Sequence, residues 1–592
     1  MIKLKNRKYN FFRLIFLIFS LILSRYFYIQ IIDYNFYKNR SGENRLYHTY
    51  TNPPRGIIYD RNGLKLVDNT QTFSVQIYPN YYKSDDFDKN LFYKMLNSAN
   101  KKSKILVTQN DFEYKIKKSG KHSPVTIVNY IDFETRALIN EFKLDFPGLI
   151  FYKNPSRFYS DSLRLSHTLG YLSLVNEEDL KLGNYSINDV IGKSGIEKKY
   201  ESILKGKKGV EYRVINTYGQ DFGVDKEAAN IAEIPGENLF LTIDYGLQFK
   251  IENLLKGYKG AIICMDPKNG DVLAIASAPD YSLDEFIGFL PQETWNQWNE
   301  EKILLNRVTA GEYQPGSLYK LVSSIMFMEQ GLYPINTTVF CDGKYELEDQ
   351  SKPGTPRIHR CWKEEGHGLV NLHEAIKQSC NVYFYDMILR YQEKDNYIID
   401  LLSDYAIKLG FAHQSGLNLN YEISGKIPNV KMLNKEQGSK NWSKRGIMPN
   451  LVIGQGEVTV TPIQVINLIN LIATKGKTFR PKLVLSEKSI PFKVEFNDYI
   501  WNEIQSAMYS VVNEEKGTAY MLKNDNAVIR GKTGTAQTSS SSIEDLLSWF
   551  GGYIEKDGKM MSIVVLIEDV NQDSKTISKI ISKNIFDYYI KR

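Results

Sequence analysis

Ser317 and Lys320 stand three residues apart at the head of an apolar run, "GSLYKLVSSIMFMEQG" (Gly316–Gly331). On a helix, such positions share one face, about 5–6 Å apart at Cβ. Pro315-Gly316 ends the preceding loop, which puts Ser317 at the helix N-terminus. There, backbone N–H groups lack partners and the dipole favours negative charge. A serine so placed can be a nucleophile, and its own N–H can help hold an oxyanion. Lys320 lies among Leu318, Tyr319, Leu321 and Val322, where burial disfavours its ammonium form. A neutral amine one turn away can take the serine proton. A capping serine beside a snorkelling lysine has the same pattern, so the pair alone is a weak signal.

Two more clusters strengthen it. Ser379-x-Asn381 lies in "QSCNVYF", and Lys532-Thr533-Gly534-Thr535 lies in "RGKTGTAQ", at the end of an expected strand. Ser379 and Asn381 can relay a proton and hold a substrate amide. Lys532 and Thr533 offer a cation and a hydroxyl to a carboxylate, and Gly534 admits a close backbone approach. The N–H of Thr535 can complete an oxyanion hole with that of Ser317. The order S-x-x-K, S-x-N, K-T-G is that of penicillin-binding proteins and class A β-lactamases.

The chain resembles the class B, monofunctional penicillin-binding proteins over almost its whole length. "NPPRGIIYDRNG" (Asn52–Gly63), "SHTLGYLS" (Ser166–Ser173), "NRVTAGEYQPGS" (Asn306–Ser317), "IGQGEVTVTPIQ" (Ile453–Gln464) and "SWFGGYI" (Ser548–Ile554) carry the resemblance. It implies a D,D-transpeptidase that cross-links peptidoglycan stem peptides through a Ser317 acyl-enzyme, with a possible carboxypeptidase side activity. β-Lactams would acylate the same serine, and catalysis would need no cofactor. The elongation-specific branch is most similar, which implies a RodA-like SEDS glycosyltransferase and elongation-complex membrane proteins as partners. The septal branch, a penicillin sensor, a non-catalytic polymerase activator and a hydrolytic β-lactamase are the rival readings. Leu318 and Tyr319 stand where the family often has Thr and Phe, which bears on pocket shape rather than on the reaction.

The elements that must position these residues form an α/β (α+β) multidomain chain of 592 residues. Its net charge of +7 is small and scattered, and gives no case for nucleic-acid binding. Lys3, Lys5, Arg7 and Lys8 precede an apolar stretch, Phe11–Ile32, long enough to span a bilayer at about 20 residues. The basic flank predicts a cytoplasmic tail over 1–10, an uncleaved single-pass anchor over 11–32 and a periplasmic bulk on the inner membrane. A mixed, mainly-β and elongated pedestal is expected over 33–243. The penicilloyl-serine transferase domain is expected over 244–592, with an antiparallel five-stranded sheet between helical layers.

Cys341, Cys361, His367 and Cys380 follow the spacing C-x19-C-x5-H-x12-C. Three thiolates and an imidazole suit a structural zinc ion. A Cys341–Cys361 disulfide and three unrelated thiols are the other readings, with His359 and His373 as spare imidazoles. Resemblance to the elongation branch implies a metal site in this segment. Cys380 is the middle residue of Ser379-Cys380-Asn381, so a metal on it would pin that loop. Cys264, in an apolar strand, reads as core.

Overall fold

The computed structural model describes all residues except 1, 35–45, 84–85, 100–108, 119–123, 161, 184, 187–188, 216–220, 287–289, 333, 349–353, 393–396, 418, 420, 439–441 and 538–545. The chain divides into two compact units. One comprises residues 1–55, 69–156 and 205–236; the other comprises 56–68, 157–204 and 237–592. The expected division at 243/244 follows chain order, whereas compactness groups 56–68 and 157–204 with the C-terminal residues.

In the first unit, the helix Ile2–Phe27 continues as a π-helical turn, Tyr28–Ile32. Its span Lys8–Ile32 is long and apolar enough to cross a membrane, and the only such helix among the described residues. Leu46–Thr51, Gly209–Ile215 and Asp221–Val224 form an antiparallel sheet. A second cluster of elements surrounds a core of Phe73, Val75, Phe92, Leu96, Phe112 and Phe146, whose rings meet edge to face, as Phe92 and Phe146 do at 5.3 Å.

In the second unit, the Asn62-Gly63 turn is built by Asp60. Its Oδ1 accepts the N–H groups of Asn62 at 2.8 Å and Leu64 at 2.7 Å. Its Oδ2 accepts that of Tyr245 at 3.2 Å, the first residue of helix α1 (Tyr245–Leu255). A buried carboxylate thus ties residues 56–68 to the start of the C-terminal segment.

The sheet comprises β1 (Gly260–Met265), β2 (Val272–Ala278), β3 (Val528–Gln537), β4 (Leu546–Lys556) and β5 (Lys559–Val570). All neighbours are antiparallel, in the order β2-β1-β5-β4-β3. The β4–β5 hairpin turns at Asp557-Gly558, both with positive φ, as a two-residue turn with matching twist requires. Every residue of β1 is buried, as are Ile563–Ile567 of β5; helices cover both faces, so these strands are apolar throughout rather than alternating. Helix α2 (Lys320–Glu329) and α3 (Asn381–Gln392) follow the two serine motifs. Helix α4 (Pro462–Ala473), buried at all twelve positions, packs on the sheet together with α5 (Asp498–Asn513). Helix α6 (Ile577–Ile590) joins α1 in the other layer. The strand β3 that carries K-T-G lies at an edge of the sheet.

The glycine-bounded stretch Gly192–Gly209 contains two short helices, Gly195–Lys199 and Glu201–Leu204. Glu197 on the first is fully buried against Arg157, Oε1 to Nε at 2.8 Å, and Arg157 Nη1 donates to Gly56 O at 2.8 Å. Truncating one partner leaves the other charge buried and uncompensated, at a cost of about 3–5 kcal/mol. Glu197→Ala is therefore expected to lower the thermal unfolding midpoint of the full chain; scanning fluorimetry showing an unchanged midpoint would contradict this account.

Candidate active site

A 3-10 turn, Gly316–Leu318, leads into α2, so Ser317 and Lys320 occupy successive turns. Gly316 N donates to Gly454 O at 2.9 Å, and Gly316 has φ +52°. A Cβ there would lie 2.6 Å from Thr535 O; only glycine fits against β3. The Thr535 carbonyl therefore faces the turn. In an antiparallel strand, the N–H and C=O of one residue project to the same side, so the Thr535 N–H opens towards the same edge. Gly534 is equally tight, since a Cβ on it would meet Pro315 O at 2.9 Å. Ser317 is half-buried, and its Oγ makes no hydrogen bond among the described residues.

Lys320 is fully buried. Its Nζ donates to Asn381 Oδ1 at 2.7 Å, to Ser379 O at 2.9 Å and to Ser379 Oγ at 3.3 Å. Lys532, also fully buried, donates to the same Ser379 Oγ at 2.9 Å and to Thr533 O at 3.1 Å. Burial pushes the Lys320 ammonium down to about 8, against the opposing influence of Cys361 and Cys380. Burial, and then the charge of Lys320, hold Lys532 well below the usual lysine range. Thus two amines converge on one hydroxyl, and each discourages protonation of the other.

All eight residues expected from the three motifs meet here: Ser317, Lys320, Ser379, Asn381, Lys532, Thr533, Gly534 and Thr535. Two further features do not follow from the motifs. Ser379 adopts φ +57°, a strained conformation for serine, which turns its carbonyl and hydroxyl towards Lys320. Tyr313 Oη donates to Glu568 Oε1 at 2.6 Å, and Arg307 Nε contacts the same oxygen at 2.8 Å. This carboxylate on β5 anchors the loop before Ser317 from far along the chain.

The Cys/His cluster also assembles. All four cysteines are free, so the Cys341–Cys361 disulfide is not formed. His367 Nδ1 lies 3.5 Å from both Cys341 Sγ and Cys361 Sγ, and the four ligand atoms of Cys341, Cys361, His367 and Cys380 all lie within 4.8 Å of one another. Hydrogen bonds from Cys380 and His367 lower the thiols of Cys341 and Cys361, while Cys380 is pushed up. The Asn381 N–H points at Cys361 Sγ, 3.4 Å away. Converging sulfurs whose anionic form is favoured at Cys341 and Cys361 suit a tetrahedral metal with sulfur ligands at about 2.3 Å. The spare imidazoles lie elsewhere: His373 contacts Glu503 and Ser510, each at 2.9 Å, and His359 packs on Tyr385. Cys264 is buried in β1.

Comparison with known proteins agrees with this arrangement. The family description "Penicillin binding protein transpeptidase domain" matches residues 260–587, and "Penicillin-binding Protein dimerisation domain" matches residues 50–241. The peptidoglycan D,D-transpeptidase MrdA of Salmonella typhimurium is 31% identical over 88% of this chain and 84% of its own length. That of Acinetobacter baumannii is 30% identical over 96% and 85%. Among solved structures, the Helicobacter pylori penicillin-binding protein PBP2 in complex with MreC superposes with a TM-score of 0.75, at 26% identity, covering 92% of this chain and 99% of that one.

Proposed function

The chain belongs to the penicillin-binding proteins that carry a transpeptidase and a dimerisation domain, and from that membership we propose that Ser317 is the acylated serine of a peptidoglycan cross-linking cycle serving cell elongation. It is a D,D-transpeptidase of the penicillin-binding type, and its catalysis needs no cofactor. One observation supports the assignment of roles: the buried amines of Lys320, one helical turn from Ser317, and of Lys532 meet at Ser379 Oγ.

Lys320, whose ammonium burial lowers to about 8 so that a neutral fraction exists near that pH, takes the Ser317 proton as Oγ attacks the penultimate D-Ala carbonyl. The N–H groups of Ser317 and Thr535 hold the oxyanion. As the tetrahedral species collapses, the D-Ala–D-Ala amide breaks. The proton passes from Lys320 by way of Ser379 to the departing amine. An amine of a second stem then attacks the ester, gives up its proton along the same route and releases Ser317; water in its place gives carboxypeptidase activity. Asn381, fixed by Lys320, holds the stem amide. Thr533 Oγ1 and Lys532 meet the terminal carboxylate, whose charge restores the Lys532 ammonium. β-Lactams acylate Ser317 by the same attack.

Cys341, Cys361, His367 and Cys380 would hold a structural zinc ion, which would take no part in the reaction. It would brace the loop carrying Ser379 and Asn381. The apolar helix is read as a single-pass inner-membrane anchor with its N-terminus cytoplasmic and the bulk periplasmic. A RodA-like SEDS glycosyltransferase and elongation-complex membrane proteins are the partners proposed. The division at 243/244 is kept as the functional boundary between pedestal and transpeptidase.

Ser317→Ala should abolish labelling by fluorescent penicillin, and stoichiometric labelling would refute the assignment. In the wild-type chain, the acylation rate should rise with pH and level off above about 8, because only the neutral Lys320 accepts a proton. Elemental analysis of the purified chain should find about one zinc atom per chain; metal-free protein with fewer than four titratable thiols after denaturation would favour a disulfide. Depletion from rod-shaped cells should make them round, whereas filaments without septa would assign the chain to division.

A further inference from the structure

The mechanism leaves one well-ordered hydroxyl beside the carboxylate site unused. Thr518 Oγ1 lies 2.8 Å from Thr533 Oγ1. It belongs to the loop between α5 and β3, and that loop is fixed on several sides. Thr518 N donates to Lys377 O at 3.3 Å, and Lys579 Nζ donates to Thr518 O at 3.2 Å. Ala519 N donates back to Val511 O at 3.0 Å. Lys377 in turn pairs with Glu514 at 2.7 Å and precedes Ser379 by two residues. The loop is thus mounted on the segment that leads into Ser379-x-Asn381, while its hydroxyl reaches the K-T-G strand.

We propose that Thr518 is a positioning residue for the substrate carboxylate, fixing the direction in which the Thr533 hydroxyl donates. A hydroxyl pair holds one hydrogen bond, and either oxygen can be the donor. A carboxylate only accepts, so Thr533 must give its proton to the ligand. The pair is then consistent in one sense only: Thr518 O–H donates to Thr533 Oγ1, and Thr533 O–H donates to the carboxylate. Each bond in such a chain polarises the next. Without the Thr518 hydroxyl, Thr533 loses that donor and its rotor is free. This inference rests on the reading of Thr533 as a carboxylate contact.

The test is stopped-flow acylation of the full-length chain by benzylpenicillin and by its methyl ester, which lacks the carboxylate. It separates the dissociation constant of the initial complex from the acylation rate constant. Thr518→Val should raise the dissociation constant for benzylpenicillin about five- to tenfold while leaving acylation within about twofold, the scale of one weakened charge-assisted hydrogen bond. Thr518→Ser should restore it, and the methyl ester should not distinguish the variants. Thr518→Ala supplies the same comparison if valine disturbs the loop. In a Thr533→Ala background, Thr518→Val should add nothing. An unchanged dissociation constant in Thr518→Val, an equal loss with the methyl ester, or failure of Thr518→Ser to restore binding would overturn the role. If Thr533→Ala itself leaves benzylpenicillin binding intact, the carboxylate assignment fails instead, and the Thr518 role falls with it.

Discussion

Two lysine side chains share one dry pocket, and much of the transpeptidase unit follows from that constraint. Amines brought onto the same hydroxyl cannot both hold a proton cheaply when neither reaches water. The low-dielectric setting requires burial of Lys320 and Lys532, and both are fully buried, with the Phe384 ring 5.5 Å from Lys320 Nζ. It also requires exact hydrogen-bond partners, since an unpaired buried amine is costly. Ser379 and Asn381 serve as those partners, and the unusual backbone of Ser379 is the geometry that lets one residue offer both its carbonyl and its hydroxyl to Lys320. A proton placed on this cluster is therefore easily moved, which is what an acyl-transfer cycle needs from its acid and base.

The three parts of the site come from separate stretches of chain, and each is held by a rigid element. The Gly316–Leu318 turn is pressed against β3 at two glycines, Gly316 and Gly534. The Ser379 loop is held by Lys320 of α2 on one side and by the Cys/His cluster on the other, where Cys361 Sγ accepts the Asn381 N–H. The K-T-G strand is paired along its length with β4. The loop before Ser317 is tied down by Glu568 through Tyr313 and Arg307. Small displacements in any of these would separate atoms that must react at hydrogen-bond distance.

How much of this could be read in the sequence depended on whether the signal was local. The apolar runs of β1 and β5, the Lys556-Asp557-Gly558 turn and the helix after Thr461 are fixed by neighbouring residues, so their patterns are local. The three motifs were legible because each is a short pattern with its own chemistry, and their order supplied the link between them. The division of the chain was harder. Asp60 closes its turn and also receives the N–H of Tyr245, a contact that nothing near either residue announces, so residues 56–68 fall with a distant segment. The break at Tyr200 reflects burial of Glu197 against Arg157, a tertiary demand that overrides helix propensity. Glu568 and Thr518 escaped notice because their partners lie far away in sequence or carry no pattern. For the Cys/His set, spacing left a disulfide open, and the convergence of all four side chains emerges only in the folded chain.

The edge position of β3 has a consequence outside catalysis. A strand at the border of a sheet offers unpaired backbone groups to any extended chain, including a strand from another copy of the protein. Under the proposed reading a stem peptide would lie along it, so the edge could not simply be covered. The turn at Gly316–Leu318 crosses the strand opposite Gly534 and Thr535, leaving access there to a short segment but not to a continuous ladder. The contact that places the serine thus also guards against aggregation, and loosening it would endanger solubility as well as activity.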